Sequence, residues 1–200
     1  MTQRLAALLE EIKRTHASSA ALAAFCPFAD DLIDIPLAPR NLPCAEYMYQ
    51  NAAFRDAEHP LARAFYNAGP DAHWRETYRN TDIGTDFMDR FGCYCAVGEG
   101  GAWKSAKMAS YVVTMPPKLH YPWHHHPAEE MYLVLAGEAT FLRDGEAAEQ
   151  LGVGDSSFHA SNQPHAMTTG DAPVMAYVVW RNNLGIKPVL TPDHMLRDAQ

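Results

Sequence analysis

No stretch of eighteen apolar residues occurs in the 200-residue chain, so the sequence offers no membrane-spanning helix. Cysteine is scarce. Four residues (Cys26, Cys44, Cys93 and Cys95) are too few for a disulfide framework in a chain this long. Each reads as a buried free thiol, and Cys93 and Cys95, which would share one strand face, carry too little pattern for a C-x-C metal site. Basic runs are missing as well. With a formal net charge of -8, the chain lacks the clustered Lys and Arg that phosphate binding or an anionic membrane surface would need. Nor does the amino terminus read as a signal peptide, because Glu10, Glu11, Lys13 and Arg14 interrupt any apolar core after Met1 to Ala7. A cytoplasmic, soluble protein is expected. There is no internal repeat and no low-complexity linker.

What is present divides into two halves. Over residues 1–91 the character is helical. Leu5, Leu8, Leu9 and Ile12 fall at i, i+3, i+4 and i+7, one face of an amphipathic helix. Ser18 and Ser19 precede a second short helix, Ala20 to Phe25, and a third is expected from Cys44 to Arg55. Pro60 opens a fourth, through Asn67, stopped at Gly69-Pro70. Asp82 to Arg90 makes one more helical piece. From Gly92 onward, runs rich in Tyr, Val, Thr and Phe alternate with Gly, Pro and Asp turns, the mark of antiparallel sheet. The clearest strands are 106–115, 130–136, 138–143, 156–160, 165–169 and 174–181, with Asp144-Gly145 as a hairpin turn. The expected organisation is a helical region, 1–91, packed on a β-barrel, 92–200. The helical half would cover a barrel edge, form a lid or build a homodimer interface.

The chemistry is concentrated at residues 124 to 137. His124, His126, Glu130 and Gly137 give the pattern H-x-H-x3-E-x6-G. Imidazoles and a carboxylate at this spacing suit a divalent metal. On a strand His124 and His126 share a face, and Tyr132, two residues past Glu130, points the same way as Glu130. A fourth ligand, His165, is delivered at the start of a later strand, after the Gly154-Asp155 turn. His125 points opposite to its neighbours and reads as solvated. His120 and His159 lack ligand spacing and read as surface or core histidines.

These two segments resemble the paired motifs of the cupin superfamily, small antiparallel β-barrels with a metal inside. The likeness covers roughly residues 105 to 182. The first motif matches in full. The second departs at Ala160, Asn162 and Thr169, where the family usually has proline, glycine and asparagine, but it keeps the ligand position His165. The implied fold is therefore mainly β with a helical N-terminal part, a cupin-type antiparallel β-barrel (double-stranded β-helix). The string Y-P-W-H-H-H-P-A-E-E-M-Y-L-V-L-A-G, with the helical front half that plain cupins lack, is similar to the bacterial dimethylsulfoniopropionate (DMSP) lyases of that superfamily.

That resemblance implies a carbon–sulfur lyase with one divalent transition metal (Zn, Fe(II), Mn, Co or Ni) and a small-molecule substrate, DMSP. A proton leaves the carbon beside the carboxylate, and dimethyl sulfide departs to leave acrylate. The implied base is a phenolate. Tyr132 is nearest to the metal by strand spacing, and Tyr121 is the second candidate. A sulfonium has no hydrogen-bond donor and is held best by aromatic faces, for which Trp123, Tyr177 and Trp180 are available. Two other readings share the same ligands: an Fe(II)-dependent cupin dioxygenase acting on a small thiol or catechol, and a ligand-binding cupin without a reactive base.

Overall fold

Hydroxyl caps set the first two helices. In the computed structural model, which describes residues 1–197, Thr2 Oγ1 accepts from Leu5 N–H at the start of α1 (Gln3–Ser18), and Ser19 Oγ accepts from Leu22 N–H ahead of α2 (Ala20–Phe25). The apolar face anticipated for α1 is buried at Leu5, Leu8 and Ile12, with Thr15 and His16 continuing it. The expected third helix is split. Asn51 takes extended backbone between α3 (Pro43–Gln50) and α4 (Ala52–Arg55) and caps the latter through its Oδ1. Pro60 begins α5 (Pro60–Ala68), and the last piece is shorter than its sequence pattern, α6 (Thr85–Arg90), because Gly84 stands at φ +92°.

Among the described residues eleven strands follow or interleave: β1 (Ile33–Asp34), β2 (Gly92–Val97), β3 (Trp103–Lys104), β4 (Ala109–Met115), β5 (His120–His125), β6 (Glu129–Arg143), β7 (Glu149–Gly152), β8 (Ser156–His159), β9 (His165–Thr168), β10 (Val174–Arg181) and β11 (Val189–Leu190). They form one sheet in the order β1-β3-β2-β4-β10-β6-β9-β5-β11, with β7 and β8 both on β6. Its strand path runs open from β1 to β11 rather than closing on itself. This is the mainly β, cupin-type fold with a helical N-terminal part that the sequence implied. The last three residues of the 92–200 region lie outside the described residues.

The fold turns on β6, which the sequence divides at Gly137 but which runs unbroken. Its first half lies between β10 and β8, its second between β7 and β9. Gly137 sits at φ +68°, and a Cβ there would come within 1.7 Å of Pro173 O, so no other residue fits without moving that backbone. A bulge against β10, opposite Met175 and Ala176, adds one residue to β6 just before it. The bulge changes the alternation. Glu130, Tyr132 and Val134 face the interior ahead of it, and Ala139 and Phe141 face the same interior beyond it. The opposite face carries Leu133 and Leu135, which join Met175, Tyr177 and Val179 of β10 in packing against the helices. The sheet thus separates a helix-covered core from an interior that contains the histidines.

Candidate active site

Cross-strand register assembles the site. His124 on β5 pairs with His165 on β9, and Glu130 on β6 lies opposite both Trp180 on β10 and His159 on β8. His126 stands one residue beyond β5 and keeps its alternation. Ligand atoms of His126, Glu130 and His165 all lie within 4.8 Å of one another, and the three residues are buried. His124 flanks this group, its ring centroid 4.1 Å from that of His165 and 6.4 Å from that of His126.

Each of the three rings is oriented through Nδ1. His124 donates to Pro122 O (2.8 Å), His126 to Ala128 O (3.0 Å) and His165 to Gln163 O (2.8 Å). With Nδ1 as the donor, Nε2 is the nitrogen left to offer a lone pair. The Nε2 atoms of His126 and His165 are buried with no hydrogen-bond partner, yet face Glu130 Oε2 at 3.5 and 3.1 Å. Lone pairs facing a carboxylate in a buried place call for a cation between them. The donor set, imidazole nitrogen and carboxylate oxygen, suits a divalent transition metal.

Glu130 is itself held from two sides. His159 Nδ1 donates to Oε2 (2.8 Å) and Trp180 Nε1 to Oε1 (2.6 Å). Burial opposes its charge, but the imidazoles gathered around it prevail and keep its pKa well below the carboxylate range. His159 is driven the other way: burial lowers its pKa to about 4, so it is neutral at pH 7 and shares its Nε2 with Ser157 Oγ at 3.1 Å. The sequence pattern passed over His159. Its alternation with Ser157 on a strand antiparallel to β6 was the available signal.

A cavity opens beside the cluster, with ≈ 390 Å³ of empty space including its mouth. Tyr132, Tyr121, Glu130 and Trp180 line it, together with Arg75, Tyr111 and Phe91, which the sequence did not single out. The Tyr121 ring stacks on His124 at 3.9 Å, and its hydroxyl bonds that of Tyr78 at 2.6 Å. Tyr132 lies with its ring 5.3 Å from His159, and among the described residues its hydroxyl has no hydrogen-bond partner. Burial raises both phenols well above their ordinary pKa, reinforced by neighbouring tyrosines for Tyr121 and by the Glu130 charge for Tyr132. The protein frame alone keeps both protonated.

The three aromatic residues offered for the sulfonium end up in three different places. Trp180 reaches the cavity, its ring 4.2 Å from His126 and 5.3 Å from Tyr111. Tyr177 does not. It lies on the opposite face of β10, fully buried among the helices, bonded through its hydroxyl to His16 Nε2 at 2.9 Å. Trp123 is half-buried on the outer face of β5, in a groove with Leu142, Arg143 and Leu196. Its strand neighbour His124 points inward, which obliges it to point out. His125 also faces outward and bonds Thr191 Oγ1 at 2.7 Å.

Residues 4–176 match the family model described as dimethylsulfoniopropionate lyase. Over 185 residues, 92% of each chain, the sequence is 48% identical to dimethylsulfoniopropionate lyase DddQ of Ruegeria pomeroyi DSS-3. The crystal structure of DMSP lyase DddQ from the same organism superimposes with a TM-score of 0.93 at 45% identity, covering 96% of this chain and 98% of that one. A chain from the crystal structures of DMSP lyases RdDddP and RnDddQII gives 0.89 at 31% identity, covering 94% and 98%. Among the described residues no helix is long and apolar enough to cross a membrane.

Proposed function

Because this chain belongs to the dimethylsulfoniopropionate lyase family, we propose that it is a carbon–sulfur lyase that splits DMSP into dimethyl sulfide and acrylate by β-elimination. The observation that carries the reading is the convergence of buried His126, Glu130 and His165 on one point beside a cavity walled by Tyr132 and Trp180. His124, His126, Glu130 and His165 would hold one divalent metal. Bound there, such a cation withdraws charge from the substrate carboxylate and favours the ionised form of a nearby phenol.

The other steps belong to the chain's own residues. Tyr132, in the phenolate form that such a cation would favour, takes the proton from the carbon beside the carboxylate, its oxygen being uncommitted while that of Tyr121 is engaged by Tyr78. The electron pair of that C–H bond becomes the new C=C bond of acrylate. The C–S pair leaves with sulfur as neutral dimethyl sulfide, and the proton stays on the phenol. Tyr121, packed flat on His124, positions that ring and closes the wall behind it. Trp180 both fixes Glu130 and offers its face to the sulfonium, an attraction of roughly 0.5–2 kcal/mol. The outward position of Trp123 and the helix-side burial of Tyr177 favour Trp180 as the sulfonium partner among the three.

Headspace dimethyl sulfide after mixing the metal-loaded protein with DMSP tests the reading. Release by the native chain is expected, with turnover in Tyr132→Phe down ~10²–10⁴-fold and Tyr121→Phe less affected. Oxygen uptake without dimethyl sulfide would instead favour the dioxygenase chemistry.

A further inference from the structure

A positive charge stands in the cavity wall without a negative partner. Residues 73–75 run extended beside β2: Trp74 bridges to Tyr94, and Arg75 N–H donates to Cys93 O at 2.9 Å. Alternation sends Trp74 into the core, where its Nε1 donates to Gly69 O, and turns Arg75 to the cavity. The guanidinium carbon lies 5.1 Å from the centre of the Tyr111 ring. The adjacent carboxylate does not serve it, because Glu76 is paired with Arg40 and Arg79. Among the described residues no carboxylate pairs with Arg75, and its titratable neighbours are Cys93, Tyr111 and Cys95. Burial raises the pKa of all three, Cys93 to about 11, so none offers a negative charge at pH 7.

Its position adds a second observation. Arg75 and Thr77 line both the cavity and an adjoining polar recess that includes His73, Glu99 and Lys187. The guanidinium therefore sits where the recess meets the aromatic interior. A planar, permanently charged fork that is half-buried and, among the described residues, meets no carboxylate is complementary to an anion with two coplanar oxygens. We infer that Arg75 is the carboxylate receptor of this cavity, taking small carboxylates from the recess and admitting them toward the His–Glu cluster. The like charge of the guanidinium repels a sulfonium, so a zwitterion enters with one polarity, its carboxylate between Arg75 and the His–Glu cluster and its cationic end directed away from both. The identity of that zwitterion as DMSP rests on the lyase reading; the receptor does not.

Isothermal titration of the full-length, metal-loaded protein with two unreactive probes tests it. Propionate carries the carboxylate alone, and trimethylsulfonium carries the cation alone. In Arg75→Met, propionate binding is expected to weaken roughly tenfold or more, as for loss of a charge-assisted hydrogen bond, while trimethylsulfonium binds no worse. Arg75→Lys should fall between, keeping the charge but losing the fork. With DMSP, the larger share of the lost kcat/KM should appear in KM. A merely structural role would weaken both probes alike, and Arg75→Met binding propionate as the native protein does would overturn the assignment, as would a native protein that binds no propionate. Arg75-dependent propionate binding in a protein that releases no dimethyl sulfide would sink the lyase reading and leave the receptor standing.

Discussion

Replacing His159 with Phe probes a residue that touches no proposed substrate and, in the structure, acts on Glu130. The phenyl ring is the flat apolar replacement nearest in shape to imidazole, though larger by one ring atom, so contact with His165 (centroids 4.1 Å apart) and Tyr132 (5.3 Å) is kept. What disappears is the 2.8 Å hydrogen bond to Glu130 Oε2, one of the two bonds that aim this carboxylate, and the 3.1 Å bond with Ser157. Partners that orient a metal ligand are worth about 10–100-fold in metal affinity, which is about 1.4–2.7 kcal/mol. Competition against a chelator of known affinity, read on the freshly loaded native and variant proteins, gives this number directly. A thermal melt of each controls for folding. Trp180→Phe removes the other bond, to Oε1, and should weaken metal binding by a similar amount. The two losses should not add, since both act through one carboxylate. An H159F protein that holds its metal within twofold of the native affinity would refute the reasoning and return His159 to the role of a packed core residue.

His126→Ala should lose bound metal and activity together, whereas His125→Ala should keep both, because His125 faces Thr191 outside the cavity; metal content by elemental analysis after desalting decides, and the reverse result would mean that the inward and outward faces have been exchanged. The buried His16 makes stability depend on pH: burial lowers its pKa from 6.5 to about 4, so as pH falls from 6.5 toward 4 the unfolded chain takes up a proton that the native chain refuses. That destabilises the fold by up to about 3 kcal/mol at the acid end of this window and by nothing above it. Urea unfolding of native protein and His16→Gln between pH 7.5 and 4.5 measures the difference, and parallel pH profiles would contradict the assignment.

The sequence by itself determined many of the elements and singled out His126, Glu130 and His165, which the fold brings together. Hydroxyl caps, Pro60 and the leucine spacing of α1 are local signals, and the alternation of His124 and His126 is a property of any extended chain. Alternation also separates the three aromatic residues. Tyr177 and Trp180 are three residues apart on a strand without a bulge, so they face opposite sides, and Trp123 cannot face inward beside His124. What local sequence did not carry was register. Whether His159 meets Glu130 depends on how β8 slides along β6, and the sequence spacing of the two residues says nothing about that. The bulge before Gly137 changes which residues of β6 face inward, a consequence of β6 having to serve two sheets. Arg75 reached the cavity because a segment without regular strand pattern lies against β2. These placements arise between segments distant in the chain, where pairing and packing rather than local preference choose among conformations, and so only the tertiary structure decided them.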